Sequence, residues 1–295
     1  MKPLSFDFLK RKKDTHKKDY GHILIISGST CYTGAVYLCS QGALRSGAGL
    51  VTLAVPSSVH PIIASRVIEA TTLPVSDKQG SFTLSSKKKI FNFIKNIDSV
   101  VIGPGISRAK NTQKFVLGLL SKINIPVVID ADALYPLKKH RDIIASRKHP
   151  TVLTPHPGEM SQLTGMSVEL IQKDRVGISK SIAERWNCIV VLKGHRTVCT
   201  DGNNIYINNT GNPGMASGGT GDVLSGIIGA FLGMKIQAYE ASCCAVYIHG
   251  LAADMAVKKV GMTSLLAGDI ISYLPQAFLE SSKIPGQVKG RPCET

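Results

Sequence analysis

The densest chemistry in the chain lies in the segment Asn212-Pro-Gly-Met-Ala-Ser-Gly-Gly-Thr-Gly-Asp222. Gly218, Gly219 and Gly221 clear side chains from the backbone, Thr220 supplies a hydroxyl, and the apolar run Val223 to Met234 follows at once. A glycine loop that feeds the positive end of a helix offers free N–H groups to phosphate. Asp222 does not suit a passive phosphate cradle, because its carboxylate would repel the anion. It suits a base that takes the proton of a hydroxyl attacking phosphate, while the N–H groups stabilise the group in transfer. The plainer alternative has Asp222 or Thr220 capping the helix and the glycines merely turning the chain. Glycine density, neighbouring hydroxyls and placement favour the functional reading. The loop is not a Walker A motif, since no Gly-Lys-Ser/Thr follows.

Four further clusters sit where strands end. Lys193-Gly194-His195-Arg196-Thr197 is cationic and can face a nucleotide in an open α/β sheet; a basic surface turn explains it about as well. Thr154-Pro155-His156-Pro157-Gly158-Glu159 is stiffened by two prolines that would hold His156 and Glu159 beside a ligand, with a turn in which Glu159 caps the next helix as the rival. Asp130-Ala131-Asp132 can hold Mg2+ through water next to phosphates, although one of the pair is expected to cap a turn. Gly103-Pro104-Gly105 is the fourth. With the glycine loop, five such features converge on one edge of a sheet. The segment Ser27 to Gly34 resembles a dinucleotide turn only superficially. It lacks G-x-G-x-x-G and no acidic residue ends the second strand, so a Rossmann cofactor site is excluded.

The elements that must carry these clusters are near-continuous apolar runs: 22–27, 50–55, 99–102, 126–130, 151–154 and 189–193. Such runs fit strands buried on both faces, as in a parallel sheet covered by helices. Helical segments fall at 34–46, 57–67, 111–121, 138–147 and 174–187, which gives an alternating α/β order. Residues 197–200 and 204–207 flank Asp201-Gly202 and read as a hairpin. Helices then dominate at 219–233, 237–258 and 264–279. The organisation expected is a basic arm (1–20), one catalytic domain (21–280) and a polar tail (281–295).

Bulk properties narrow the class. Of 295 residues, 43% are hydrophobic and 19% charged, which suits a globular core. The run from Val223 to Met234 is too short for a membrane span, which needs roughly 20 residues. The N-terminus lacks the apolar stretch of a signal peptide, so a cytoplasmic protein is expected. Seven cysteines without a C-x-x-C pair read as reduced, mostly buried thiols. The net charge of +15 favours anionic partners in general. Its blocks, such as Lys10 to Lys13 and Lys87 to Lys89, carry no interleaved aromatics, so solvated surface is preferred over nucleic-acid binding.

As a set, these motifs resemble the NAD(P)H-hydrate dehydratase family of the ribokinase-like superfold. The likeness runs from about His16 to Phe278 and includes Tyr20-Gly21, Gly47-Ala48-Gly49-Leu50-Val51 and Asp130-Ala131-Asp132-Ala133-Leu134 besides the clusters above. It implies a three-layer fold with a mostly parallel central sheet flanked by helices. It implies repair of hydrated NADH or NADPH, with ADP, or ATP, as co-substrate and Mg2+ present. By resemblance Asp222 is the base, and Ala35, Gly105 and His156 line the hydrated-cofactor pocket together with it. Lys193 to Thr197 and Gly218 to Gly221 bind the adenine nucleotide, and Asp130 and Glu159 hold the metal. A homo-oligomer, with a tetramer as the candidate form, and a separate NAD(P)H-hydrate epimerase are implied as well. Four positions depart from the family pattern: Lys18, Ser27 and Ser107 replace glycines, and Ser217 replaces a threonine. Two rivals stand beside this reading. One is a small-alcohol kinase of the hydroxyethylthiazole kinase type; the other is a non-catalytic nucleotide or nucleic-acid binding protein.

Overall fold

The strands of the central sheet alternate their side chains between two separate cores. In β1 (His22–Ile26), Ile23 and Ile25 enter one apolar cluster and Leu24 and Ile26 the other, and all four are fully buried. That double burial is why the strand reads as an unbroken apolar run and not as an alternating one. The computed structural model describes residues 4–282.

The remaining strands are β2 (Leu50–Pro56), β3 (Thr71–Val75), β4 (Asp77–Lys78), β5 (Ser81–Phe82), β6 (Ser99–Ile102) and β7 (Val127–Ile129), then β8 (Thr151–Leu153), β9 (Ile189–Leu192), β10 (Val198–Thr200) and β11 (Ile205–Ile207). Nine of the eleven strands form one sheet in the order β11-β10-β9-β8-β7-β6-β1-β2-β3, and β4 and β5 make a separate hairpin. Pairing is parallel from β3 through β9; β10 and β11 are antiparallel. The helices are α1 (Thr33–Arg45), α2 (His60–Ala64), α3 (Ser86–Phe93), α4 (Lys110–Leu120), α5 (Asp142–Ala145) and α6 (Pro157–Thr164). They continue as α7 (Val168–Lys173), α8 (Arg175–Trp186), α9 (Thr220–Gly233), α10 (Ala238–Val260) and α11 (Ala267–Ser282). Buried residues of α1, α9, α10 and α11 share one core, and those of α3, α4 and α8 share the other. The sheet between two helical layers is the three-layer α/β arrangement.

Several expectations change at the edges. β3 is read as no element from its sequence, because Thr-Thr-Leu-Pro-Val contains Pro74. It is the last strand of the sheet, where a missing N–H is tolerated. The helix expected over 57–67 is only α2, and that over 138–147 divides into a 3-10 segment (Tyr135–Lys139) and α5. Residues 4–9 do not extend as a free arm. Leu4 and Phe6 are buried, with the Phe6 ring 5.7 Å from Tyr247 and the Phe8 ring 4.9 Å from Phe231. Apolar side chains spaced among the basic ones cover α9 and α10. Residues 281 and 282 complete α11, and the rest of the expected tail, with Cys293, lies outside the described residues. The six described cysteines are unpaired, and all but Cys31 are buried.

Two glycines let α1 and α9 cross closely. A Cβ on Gly42 would overlap the Val223 carbonyl, and one on Gly226 would overlap the Cys39 carbonyl. This contact sets the start of α9 against α1, while Gly229 and Gly233 farther along pack on Ile23 of β1 and Val101 of β6.

Candidate active site

Asp130 at the end of β7, Thr154 after β8 and Lys193 after β9 converge beside the first turns of α9. Gly219 precedes that helix with φ +89, a backbone conformation that a side chain would strain. Neither Thr220 nor Asp222 caps the helix: no side chain does, and the Thr220 hydroxyl donates instead to the carbonyls of Met215 (3.1 Å) and Ser217 (3.2 Å). The first N–H groups of α9 therefore stay open to an anion, with the helix dipole behind them.

Asp222 lies in that first turn, and its carboxylate makes no hydrogen bond or ion pair among the described residues. Burial, and next the charge of Asp130, push it up to about 7; Lys193 opposes them. A carboxyl in this range exchanges protons readily near neutral pH.

Asp130 ties the surrounding elements together. Its Oδ1 accepts from Lys193 Nζ (2.7 Å) and Thr154 Oγ1 (2.7 Å), and its Oδ2 from Ser225 Oγ (2.8 Å). The end of β7 is thereby joined to β8, β9 and α9. Burial works against the Lys193 charge, but Asp130, Glu159 and Asp222 outweigh it and hold the ammonium above its usual value. Lys193 Nζ is also 3.7 Å from Glu159 Oε2, and a Cβ at Gly221 would come within 3.2 Å of it.

His156 and Glu159 form a reciprocal cap on α6. The His156 Nδ1 accepts from the N–H groups of Gly158 (3.0 Å) and Glu159 (3.2 Å), and Glu159 Oε2 accepts from the His156 N–H (2.8 Å). The capping role weighed for Glu159 is thus present, and it fixes the exposed His156 ring at the cleft. The two carboxylates expected to hold Mg2+, Asp130 and Glu159, both face Lys193. Both Asp130 oxygens are engaged by the lysine and two hydroxyls, whereas of Glu159 only Oε2 takes a backbone N–H, with Oε1 3.5 Å from His156 Nε2. Among the described residues no three His, Cys, Asp or Glu side chains are grouped to hold a metal. Two carboxylates suit an Mg2+ held through water next to phosphates, not one enclosed by protein ligands. Asp132 is likewise occupied, accepting from the Ser107 N–H (3.1 Å) and Arg108 Nε (2.8 Å).

On the other side of Asp222, α1 approaches the β6 loop. A Cβ on Gly105 would lie 2.7 Å from the Tyr32 Cβ and 3.0 Å from the Ala35 Cβ, so Ala35 and Gly105 are immediate neighbours. Ser27 donates to the Pro104 carbonyl (2.6 Å) and Ser29 to the Gly105 carbonyl (2.8 Å), which pins this loop to β1. The serine at position 27 thus supplies an anchor that a glycine could not. Ser107 has φ +69, the left-handed region that favours the glycine it replaces.

A cleft of about 530 Å³ opens between the Lys193 loop, the 208–217 loop and α10. Lys193, Gly194, His195, Thr197, Thr220, Gly221 and His156 line it; Arg196, Gly218 and Gly219 do not. Gly219 instead sits against Leu38 of α1, and a Cβ on Gly218 would meet nothing within 4 Å. Arg175 holds the Lys193 loop by donating to the carbonyls of Leu192 (2.9 Å) and Lys193 (3.3 Å). Asp254 of α10 holds the facing loop, accepting from the Gly211 N–H (2.8 Å) and Asn212 Nδ2 (2.9 Å). Sequence reasoning missed these two and the α10 wall at Val246, His249 and Gly250. The i, i+3, i+4 spacing of that wall was the available signal, hidden within an apolar helix.

Residues 23–276 match the family model described as NAD(P)H-hydrate dehydratase. The bifunctional NAD(P)H-hydrate repair enzyme of Moorella thermoacetica is 40% identical over 90% of this chain and 51% of its own length. The chain thus spans about half the length of that relative. The ADP-dependent (S)-NAD(P)H-hydrate dehydratase of Neisseria meningitidis is 33% identical over 89% of this chain and 86% of its own. The crystal structure of the ADP/ATP-dependent NAD(P)H-hydrate dehydratase from Bacillus subtilis, co-crystallised with ATP/Mg2+, superposes with a TM-score of 0.78 at 31% identity, covering 92% of this chain and 94% of that one.

Proposed function

The chain belongs to the NAD(P)H-hydrate dehydratase family, and from that premise we propose that it restores hydrated NADH and NADPH to the reduced cofactors in an ADP-driven dehydration. One observation carries the proposal: an unpartnered carboxyl, pushed up to about 7, at the uncapped start of a helix whose first residues line the Lys193 cleft.

In this reading the adenine nucleotide occupies the cleft lined by Lys193, Gly194, His195, Thr197, Thr220 and Gly221. Its terminal phosphate points at the open N–H groups of α9, and the hydrated ring rests against Ala35, Gly105 and His156. Asp222 removes the proton of the ring hydroxyl. The hydroxyl oxygen attacks the terminal phosphorus, and the bond from phosphorus to the departing AMP breaks. The ring C–O bond then breaks, the adjacent ring carbon gives up a proton to solvent and the double bond re-forms. Inorganic phosphate carries away the oxygen. Lys193 neutralises the carboxylates around this point, so that phosphate is not repelled. Mg2+, where present, travels on the nucleotide's phosphates. A homo-oligomeric assembly, a cytoplasmic setting and epimerisation by a separate polypeptide belong to the same proposal, on the family resemblance. Among the described residues no helix is long and apolar enough to cross a membrane.

The test is to incubate the protein with hydrated NADH, adding ADP and ATP in parallel, and to follow the absorbance of reduced nicotinamide. Its return, faster with ADP, is the expected result. No return with either nucleotide, together with phosphorylation of a thiazole or pyrimidine alcohol, would establish the kinase alternative.

A further inference from the structure

His249 is the one titratable group in the cleft wall that the proposed reaction leaves unused. It sits in the middle of α10, almost fully buried, and lines the cleft beside Thr220 and Gly221. Its Nε2 has no hydrogen-bond partner, and the atom is shielded from bulk water. An orphaned buried polar atom of this kind costs about 1–3 kcal/mol and calls for a physical reason.

The state of the ring follows from its surroundings. Burial pushes the imidazole down to about 4, a hydrogen bond to the Thr220 backbone pulls the other way, and the Lys193 charge lowers it further. The ring is therefore neutral at pH 7. With Nε2 unpartnered, the single N–H of the neutral ring is assigned to Nδ1, toward the Thr220 backbone. That fixes the tautomer and leaves Nε2 as a bare lone pair, able only to accept. Lysine at 193 disfavours a second proton on the ring, so a phosphate oxygen, itself an acceptor, is the wrong neighbour. The right neighbour is a donor.

We infer that His249 Nε2 accepts a hydrogen bond from a donor of the bound nucleoside, making His249 a specificity-determining residue of the nucleotide cleft. The inference rests on the adenine-nucleotide reading of the cleft. An adenosine diphosphate offers two sources of that donor, a ribose hydroxyl or the 6-amino group of the base. The first turn of α9, where phosphate is expected, lies next to the ring, and the ribose is the part of a nucleotide joined to its phosphates. The Thr220 contact holds the ring in place before the ligand arrives; Nε2 is shielded in this structure, so the nucleoside must part the groups over it to reach it.

The experiment is calorimetric titration of the full-length wild type and of His249→Phe with ADP, 2′-deoxy-ADP, 3′-deoxy-ADP and inosine diphosphate. Wild type is expected to bind ADP about tenfold or more tightly than at least one analogue, since that analogue leaves Nε2 unmet. The analogue that loses affinity identifies the donor. His249→Phe is expected to erase the discrimination against that same analogue, which a merely structural role would leave intact. Equal binding of all four nucleotides by wild type overturns the inference. So does discrimination that persists in the variant, or a proton taken up by wild type but not by the variant on ADP binding, which would mark the ring as a cation facing phosphate. If the variant does not fold, the 15N resonances of wild-type histidines serve. The unprotonated Nε2 of His249 should shift on saturation with ADP, and an unmoved signal overturns the inference. Failure of wild type to bind ADP at all overturns the adenine-nucleotide reading beneath it. Normal ADP binding with no analogue preference overturns only the role of His249.

Discussion

At the scale of single residues, the decisive difference is between carboxylates that are occupied and one that is not. Asp130 takes three donors, whereas Asp222 takes none among the described residues. Removing the free one should therefore stop chemistry without disturbing the fold. Asp222→Asn is expected to lower turnover by a factor of about 10²–10⁴, the usual range for a lost general base, with ADP affinity nearly unchanged. Turnover that survives intact would exclude Asp222 as the base. The same group sets the pH dependence. A base must be unprotonated, so kcat/KM should fall as pH drops through about 7. Lys193→Met removes the charge that opposes this rise. The inflection should then move to higher pH, measurable in a profile from pH 6 to 9. His249 shows the opposite case, a buried residue whose polar atom waits for a partner that the protein does not supply.

At the scale of elements, the site depends on how closely α9 can approach α1. Ordinary side chains cannot occupy positions 42 and 226, because each would run into the other helix's backbone. Gly226→Ala is expected to destabilise the protein by about 1–3 kcal/mol in urea unfolding, the usual cost of overpacking. It should also lower turnover, because Asp222 rides on the helix that must move. Gly268→Ala in α11 is the control: a Cβ there meets nothing within 4 Å, so stability should hold or rise by up to about 1 kcal/mol. The elements misread from the sequence are informative as well. β3 was hidden by Pro74, whose presence is consistent only with a sheet edge, and edge position is not a local property. The short α2 and the divided segment at 135–145 bury Ile63, Leu137 and Ile144 in the cores, so apolar periodicity marks their burial without fixing their helical length.

At the scale of the whole molecule, burial of the site links stability to pH in two opposing ways. Asp222 is raised from an ordinary 3.8 to about 7, so its contribution is fully present below pH 3.8 and is lost as pH rises through 7. His249 is lowered from 6.5 to about 4, so its contribution is present above pH 6.5 and is lost as pH falls through 4. Between these limits the two slopes have opposite signs and largely cancel. Relative to wild type, Asp222→Asn should gain stability as pH rises from 4 to 7. His249→Phe should gain relative stability as pH falls from 6.5 to 4. Urea denaturation at several pH values checks both trends. A variant whose stability difference from wild type does not change with pH would show that its group is not perturbed in the folded state.

The boundary between local and long-range information runs through the site itself. Local sequence determined the glycine loop, the helix that follows it, the buried strands and the cationic turn at Lys193, because glycine freedom, apolar periodicity and charge act over a few residues. It also determined which residue types could carry the chemistry, and the combined motifs carried the family. Only the tertiary structure decided which carboxylate is free. Asp130, Glu159 and Asp222 are equivalent as letters, and their roles separate only when Lys193, Thr154 and Ser225 reach Asp130 from other elements. Burial likewise decided that Asp222 titrates near 7 and that a histidine in an apolar helix forms part of the cleft wall. Desolvation and long-range pairing depend on what the rest of the chain brings alongside, and no local stretch of sequence contains that.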